Sequence, residues 1–186
     1  EEMGKYVNLS LASHKTDGLC REEKALLTSL LYTVVEHKLT YDYYISALAE
    51  RSLDKIDRVT KNILRLGLCQ LLDMKGIPSH AAVNETVKLC RNKGERGFVN
   101  GILRAADRKR DSLPLPDRKK NYLRYLSVYY SFPLWIVKRF SALYGEEGCE
   151  ALLKRLSEIS STDLTINTER VSREEYISRL SELGIK

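Results

Sequence analysis

Residues 77–104 read IPSHAAVNETVKLCRNKGERGFVNGILR, a pattern that predicts two amphipathic helices joined by a short turn. Pro78 suits the first turn of a helix, where its missing N–H costs no hydrogen bond, and Gly94 ends the apolar pattern of the first helix. Beyond that break, apolar residues recur at i, i+1, i+4, i+5 and i+8 between Phe98 and Ala106. This spacing indicates that one side of the helical hairpin packs on a core while the other side faces solvent.

The solvent side of this hairpin and the loop beyond it are rich in lysine and arginine. Residues 86–124 carry 12 basic and 4 acidic residues, a net charge of +8, whereas residues 1–85 and 125–186 each have a net charge of −1. A solvated surface is the usual fate of a single lysine or arginine, but such a concentration of charge predicts a phosphate-binding surface. The candidate phosphate-binding residues are Arg91, Lys93, Arg96, Arg104, Arg108, Lys109, Arg110, Arg118, Lys119 and Lys120.

Length and composition are those of a globular protein that can bury one core. Of the 186 residues, 43% are hydrophobic and 30% are charged. No apolar run approaches the ~18 residues of a membrane span, and no signal peptide is visible. The four cysteines lie far apart and form no close cluster with the three histidines, so no bound metal is expected. Scattered thiols fit a reducing, cytoplasmic compartment.

Upstream of the hairpin the pattern is helical throughout. Helices are predicted over residues 2–13, 21–37 and 41–48. Residues 57–75 are apolar around most of their circumference, which predicts a helix at the centre of an all-α domain. Gly67, in the middle of this helix, costs about 1 kcal/mol relative to alanine, so we expect another helix to pack closely against it. The polar strip of the same helix is formed by Arg58, Lys61, Asn62 and Arg65.

Downstream of the hairpin, residues 113–116 (LPLP) predict a loop, because two prolines in three residues cannot continue a helix. An aromatic stripe at helical spacing follows, formed by Tyr122, Tyr125, Leu126 and Tyr129. Rings beside basic residues can stack on unpaired bases, each contact being worth ~1–3 kcal/mol. The same spacing suits a core face, and we favour the core, because tyrosines are commonly buried with only the hydroxyl exposed.

The next helix is predicted to begin near Pro133 and to end at Gly145. Its predicted inward-facing residues are Leu134, Val137 and Phe140, with Trp135 packed nearby. Residues 163–168 then alternate apolar and polar, which predicts a short strand. Residues 172–183 predict a final helix that begins with a capping box. One strand and one helix cannot form a sheet alone, so we interpret them as the first βα unit of a larger module.

Several segments together resemble a known family. The run ILRLGLCQLLDMKGIPSHAAVNETVKLC, followed by GFVNGILR, resembles the NusB-type helical domain. The segments YYSFPLWIVKRFSALYGEE and LTINTERVSREEYISRLSELGI resemble the linker and first βα unit of the RsmB (Sun/Fmu) ribosomal RNA methyltransferases. In that family a NusB-like domain precedes a catalytic domain that methylates C5 of a cytosine in 16S rRNA with S-adenosylmethionine.

The resemblance implies an all-α fold, with a NusB-like helical bundle, a small helical linker region and one terminal βα unit. We expect a NusB-like RNA-binding domain over residues 1–112, a helical linker region over 113–160 and the start of a truncated α/β subdomain over 161–186. The expected partners are ribosomal RNA and the protein's own catalytic domain, with no membrane and no metal. Thr165 stands where the strand of the family commonly has an arginine, so that contact is not expected here.

The chemistry of the family is not expected of this chain alone. Methylation of cytosine C5 requires a cysteine thiolate that adds to C6, and in the family this cysteine follows a proline. Here the cysteines lie in the contexts GLCRE, GLCQL, KLCRN and EGCEA, and no glycine-rich cofactor loop follows a strand. We therefore interpret the chain as the amino-terminal fragment of such an enzyme, without a catalytic residue and without a cofactor of its own. S-adenosylmethionine is expected for the full-length enzyme.

Two alternatives remain open. A NusB-like antitermination factor would bind transcript RNA and a ribosomal protein, but it would leave residues 125–186 unexplained. An intramolecular scaffold would pack against the catalytic domain without touching RNA. Asn84 and Asn100, which recur in the matched motif, are interpreted as fixing the helical hairpin through side-chain hydrogen bonds.

Overall fold

The computed structural model describes residues 18–158 and 165–183, together with Val7 and Leu11. The predicted helix over residues 2–13 lies outside this range, except that Val7 and Leu11 are both helical. The rest of the described part is helical and contains no strand, which confirms the all-α prediction. Its helices are α1 (Arg21–Glu36), α2 (Lys38–Leu48), α3 (Arg58–Leu72), α4 (Ser79–Lys88), α5 (Lys93–Arg108), α6 (Tyr122–Tyr129), α7 (Leu134–Ser157) and α8 (Arg173–Glu182), with 3-10 turns at Leu53–Lys55 and Arg110–Ser112.

Helix α3 lies at the centre of the main hydrophobic core, as its apolar circumference predicts. Asp57 caps its N-terminus, because Asp57 Oδ1 accepts hydrogen bonds from the N–H groups of Val59 at 2.9 Å and Thr60 at 3.4 Å. Leu64 and Leu68 are completely buried. Helices α1, α2, α4 and α5 all pack around α3. The predicted hairpin of α4 and α5 is therefore docked on this central helix.

Gly67 brings the hairpin into direct contact with the backbone of α3. A Cβ atom at this position would lie 2.7 Å from Leu103 Cδ1 and 2.9 Å from Thr86 Cγ2, distances too short for any side chain. Both neighbours are themselves completely buried. The close helix packing predicted from this glycine is confirmed.

Arg65 is the residue of α3 that the sequence pattern misplaces. It was predicted on the polar strip, yet it is only 6% exposed. Its Nε and Nη2 donate to the two carboxylate oxygens of Asp42 at 2.6 and 2.8 Å, and its Nη1 donates to Asn62 Oδ1 at 2.8 Å. The prediction is wrong at this position because Arg65 is buried by its bidentate pair with Asp42 of α2. The spacing of residues within α3 gives no information about a partner on another helix.

A second, smaller hydrophobic cluster brings α6 together with α7. Its buried members are Leu126, Val137, Cys149 and Leu153. Hydrogen bonds connect this region to α2, since Thr40 Oγ1 donates to the Val128 carbonyl at 2.5 Å and the Leu39 N–H donates to Ser131 Oγ at 3.1 Å. The two clusters belong to one compact unit, residues 1–154, while residues 155–186 form another.

Helix α7 is interrupted at Gly145, as predicted. Gly145 has φ of 71°, a left-handed conformation that glycine adopts without strain. Val137 is completely buried, but Leu134 is 38% exposed and Trp135 is 68% exposed, so the predicted packing of these two residues is wrong. Trp135 lies two positions before Val137 and therefore faces away from the cluster. Leu134 lies closer to the side of Val137, but it is the first residue of the helix and remains partly open to solvent.

The carboxyl-terminal segment is only partly as predicted. Within the predicted strand, residues 165–167 are irregular and Thr168 begins a turn, while residues 163–164 lie outside the described range. A strand needs a neighbouring strand for its hydrogen bonds, and the described residues supply none. The final helix is confirmed as α8, where Ser172 Oγ accepts a hydrogen bond from the Glu175 N–H at 3.2 Å.

None of the helices in the described ranges is long and apolar enough to span a membrane. Among the same residues, no group of three or more histidine, cysteine, aspartate or glutamate side chains is arranged to hold a metal ion.

Candidate nucleic-acid interface

Helix α5 has one side fixed against the core, and this determines which residues face outward. Asn92 caps the helix, because its Oδ1 accepts a hydrogen bond from the Glu95 N–H at 2.9 Å. Val99, Leu103 and Ala106 are completely buried. They direct the inner side of α5 toward α3 and α4. The opposite side is left to solvent.

Four basic residues follow the outward side of α5. Lys93, Arg96, Arg104 and Arg108 are all exposed, and they occupy positions i, i+3, i+11 and i+15, which fall on one face of a helix. At 1.5 Å per residue the four span about 22 Å along the helix axis. Within the described part of the chain, none of them forms an ion pair with a carboxylate. We call these four residues the α5 stripe; its charge is free to bind an external anion.

Arg104 is the most precisely oriented member of the α5 stripe. Its Nε donates to Asn100 Oδ1 at 2.9 Å, one turn earlier on the same helix. Asn100 thus positions an arginine instead of joining the two helices of the hairpin, which corrects its predicted role. Beside Arg104 lies a cavity of 330 Å³ between α4 and α5, and Asn84 contributes to its wall.

Arg91, in contrast, is held by carboxylates of the protein itself. Its Nη2 lies 3.0 Å from Asp57 Oδ2 and 3.3 Å from Glu95 Oε1. The Thr60 hydroxyl hydrogen bonds to both carboxylates, at 2.6 Å from Glu95 Oε1. These Thr60 hydrogen bonds lower the pKa of Asp57 and of Glu95, and the charge of Arg91 lowers both pKa values further. Arg91 therefore joins the N-termini of α3 and α5, a structural role that neutralises its charge.

Arg110 and Arg118 also have partners within the protein. Arg110 Nη2 donates to the backbone carbonyl of Leu71 at the end of α3. Arg118 Nη2 donates to Glu150 Oε2 at 2.7 Å, and the Arg118 guanidinium lies 5.3 Å from the centre of the Tyr122 ring. Both arginines connect separate elements of the fold.

The remaining candidates, Lys109, Lys119 and Lys120, are exposed lysines of the loop region. Lys120 Nζ lies 3.9 Å from Asp117 Oδ2, but such an exposed pair contributes little free energy. Of the ten predicted residues, the structure therefore brings four onto one face of α5 and assigns three, Arg91, Arg110 and Arg118, to internal contacts.

One cation near this surface is absent from the sequence-based prediction. Arg51 stacks over the ring of Phe98, with 4.9 Å between the guanidinium carbon and the ring centre. It contributes, with Arg91, to the wall of a second cavity of 330 Å³. Arg51 lies before α3, outside the basic segment 86–124, and no sequence signal connects it to Phe98 of α5.

Two protein-family models match this chain, each over a separate region. The model of the NusB family matches residues 1–108, and the model of the RsmF/B-like methyltransferase ferredoxin-like domain matches residues 132–186. No solved structure gave a significant match.

Three relatives are named as ribosomal RNA small subunit methyltransferases B. A probable ribosomal RNA small subunit methyltransferase B of Bacillus subtilis is 30% identical over 190 residues, covering 100% of this chain and 42% of that protein. The probable methyltransferase B of Synechocystis is 33% identical over 170 residues, with 88% of this chain and 37% of that protein covered. A methyltransferase B of Escherichia coli is 30% identical over 168 residues, with 89% and 37% covered. This chain thus spans well under half the length of these relatives. Because the NusB family model matches more than half of its residues, the chain belongs to the NusB family.

Proposed function

We propose that this chain is the RNA-binding, amino-terminal portion of an S-adenosylmethionine-dependent 16S rRNA cytosine-C5 methyltransferase acting in the cytoplasm. In this proposal the α5 stripe contacts phosphates of the ribosomal RNA and orients it for a catalytic domain in the longer protein. The observation that carries the proposal is the stripe itself: four exposed cations on the face of α5 opposite the core, with no carboxylate partner among the described residues. Phosphate contacts of this kind position RNA and leave base selection to other parts of a protein.

Two findings favour a methyltransferase over a NusB-like antitermination factor. The match over residues 132–186 is to a domain of methyltransferases, and a free-standing NusB domain has no need of that region. The relatives that match residues beyond the NusB region are named as ribosomal RNA methyltransferases.

The thiols of the described residues support placing the chemistry elsewhere in the longer protein. A cysteine that attacks C6 of cytosine must be an accessible thiolate with a lowered pKa. Burial instead raises the pKa of Cys69, Cys90 and Cys149. Cys20 is exposed, but it follows Leu19 and not a proline, unlike the nucleophile of the family. S-adenosylmethionine and the catalytic cysteine are accordingly assigned to the catalytic domain.

The proposal is tested by RNA binding and its dependence on salt. The chain is titrated against a fluorescently labelled single-stranded fragment of 16S rRNA, and anisotropy gives the affinity from about 50 to about 200 mM salt. Four phosphate contacts predict a slope of log K against log salt of about −2.8, with micromolar or weaker affinity. The double variant Arg104→Glu with Arg108→Glu should bind less tightly, and its slope should be shallower by about 1.4.

A matched control changes the same charge elsewhere. Lys138 and Arg139 are exposed on α7, so Lys138→Glu with Arg139→Glu lowers the net charge equally without touching α5. This control should retain most of the affinity and most of the slope. Equal losses in the two double variants would mean that only net charge matters. If neither pair changes RNA binding, or rRNA methylation by the full-length enzyme, the scaffold alternative is correct and the α5 stripe does not bind RNA.

A further inference from the structure

Helix α6 carries an array of stacked tyrosines that the α5 stripe does not explain. The Tyr125 and Tyr129 rings are stacked, with centres 5.4 Å apart and planes inclined by 20°. The Tyr130 ring lies nearly perpendicular to Tyr129, at 4.9 Å between centres. On the other side, the guanidinium of Arg118 lies over Tyr125 at 5.4 Å. We call Arg118, Tyr125 and Tyr129 the stacked array.

One end of the stacked array is closed by interactions within the protein. Glu150 Oε2 accepts hydrogen bonds from Arg118 Nη2 at 2.7 Å and from the Tyr122 hydroxyl at 2.5 Å. Burial and this hydrogen bond to Glu150 both raise the pKa of Tyr122, so its hydroxyl stays protonated and continues to donate. The array is thereby anchored to α7, and Tyr125 is held in place by Arg118.

The other end of the stacked array is open. Tyr129 is 51% exposed even though Tyr125 covers one of its faces and Tyr130 packs beside it. Its hydroxyl forms no hydrogen bond among the described residues. The expected core role fits Leu126, which is completely buried in the second cluster, but it does not fit Tyr129. What remains is a half-exposed ring that its two neighbours hold in a fixed orientation, with part of its surface open to a further contact.

We propose that Tyr129 is a stacking platform for one unpaired base of a single-stranded RNA. This proposal rests on the proposed RNA-binding function and adds a second contact to it, on a different element from the α5 stripe. A ring already held by Tyr125 and Tyr130 loses little conformational freedom when a base stacks on it. Stacking on tyrosine accepts any base, so the platform would hold the strand without selecting its sequence.

The charge around Tyr129 favours RNA over a protein segment as its occupant. Exposed Lys119, Lys120 and Arg124 precede it within ten residues of sequence, and Arg118 forms the array itself. A segment of protein packed on an isolated tyrosine would gain little from these cations. A nucleotide presents a base to the ring and a phosphate to the cations, which is the combination found in single-strand binding surfaces.

Fluorescence of a base analogue tests the platform directly. A short single-stranded RNA with one 2-aminopurine is titrated with the chain, because stacking on an aromatic ring quenches the fluorescence of this base. The wild-type chain should quench it. Tyr129→Leu should abolish the quenching and weaken binding at least about fivefold. Tyr129→Phe, which keeps the ring, should retain both.

Two controls keep the result interpretable. Tyr32→Leu removes another exposed tyrosine, 47% exposed on α1, and should change neither quenching nor affinity. A fully paired RNA duplex with the same analogue should bind Tyr129→Leu and the wild type with equal affinity, since its bases are not free to stack on the protein. Thermal unfolding of each variant establishes that it is folded.

The outcomes separate this proposal from the one on which it rests. If RNA binds with the expected salt slope but Tyr129→Leu matches the wild type, the platform is disproved while the α5 stripe stands; a protein occupant for Tyr129 would then be the alternative. If no single-stranded or duplex RNA binds, both proposals fail. Quenching that survives in Tyr129→Leu but not in Tyr32→Leu would also overturn the platform.

Discussion

Gly67 is the point at which the backbone of α3 meets the side chains of two other helices. Alanine is favoured over glycine in a helix by about 1 kcal/mol, but an extra methyl group in a packed core typically costs about 1–3 kcal/mol. Thr86 and Leu103 are completely buried, so neither side chain can move aside into solvent. We therefore expect Gly67→Ala to destabilise the fold by up to about 2 kcal/mol, which thermal unfolding should show as a melting temperature lower by up to about 8 °C.

Gly97 offers a control for this substitution. It lies on the exposed side of α5, and a Cβ there would have no atom within 4 Å. Gly97→Ala should therefore raise the stability by about 0.5–1 kcal/mol through helix propensity alone. If Gly67→Ala were stabilised as much as Gly97→Ala, the close packing of α4 and α5 on α3 would be contradicted.

Asp42 and Arg65 form an ion pair that is shielded from solvent, with side chains 15% and 7% exposed. Removing one member of a buried pair typically costs about 3–5 kcal/mol, because the other charge is left uncompensated. Asp42→Ala should lie at the lower end, near about 3 kcal/mol, since Asn62 still accepts a hydrogen bond from Arg65. Urea titration of each variant measures the loss of stability. The pair Glu85–Lys88 has side chains 63% and 69% exposed, so Glu85→Ala should cost less than about 0.5 kcal/mol. Similar losses in both variants would mean that burial does not strengthen the first pair.

At the scale of the element, the N-termini of α3 and α5 depend on the ionisation of Asp57 and Glu95. The pKa of each carboxyl is lowered in the folded protein, chiefly by the hydrogen bond from the Thr60 hydroxyl and further by backbone N–H groups and by Arg91. The unfolded chain therefore binds more protons in acid, so this contribution is complete above the ordinary pKa of glutamate, about 4.3, and is lost as the pH falls through the lowered values. Urea midpoints measured as a function of pH should fall in that window.

The variant Glu95→Gln should be less stable at neutral pH and should lose less stability on acidification than the wild type. Glu36 is an exposed glutamate that forms no ion pair among the described residues, so Glu36→Gln should keep the acid dependence of the wild type. Parallel acid profiles for Glu95→Gln and the wild type would rule out a contribution from this network.

The helices of this fold could be predicted where the apolar spacing within a single helix was sufficient. The apolar spacing of α3 and of the hairpin predicted their inner faces, and Gly67 predicted the close approach. The turn of the hairpin was misplaced, because α4 ends at Lys88 and Gly94, expected to end the first helix, lies in the first turn of α5. Three-dimensional neighbours were not predictable: the partner of Arg65 lies 23 residues away, and those of Arg110 and Arg118 lie 39 and 32 residues away. For the same reason the ten candidate cations looked equivalent in sequence, although their contacts divide them into a free stripe and structural arginines.

At the scale of the whole molecule, the thiols report whether the two hydrophobic clusters unfold together. Cys69 and Cys90 lie in the main core, Cys149 lies in the second cluster, and Cys20 is exposed. Burial raises the pKa of Cys69 to about 11, and it raises the pKa values of Cys90 and Cys149 as well. Near pH 8 we expect one thiol of the native chain to react quickly with an alkylating reagent, and Cys20→Ser should abolish that reaction.

In a urea titration read by mass spectrometry, Cys69 and Cys149 should become reactive at the same midpoint. The reason is that the clusters share a boundary that includes the buried hydrogen bond from Thr40 to the Val128 carbonyl, at 2.5 Å. Thr40→Val removes this donor and leaves the carbonyl unsatisfied, so it should lower both midpoints by an amount equivalent to about 1–3 kcal/mol. Exposure of Cys149 at distinctly lower urea than Cys69 would show that the second cluster opens on its own. The cooperative result is expected because both clusters lie in one compact unit and the hydrogen bond from Thr40 to Val128 joins α2 to α6.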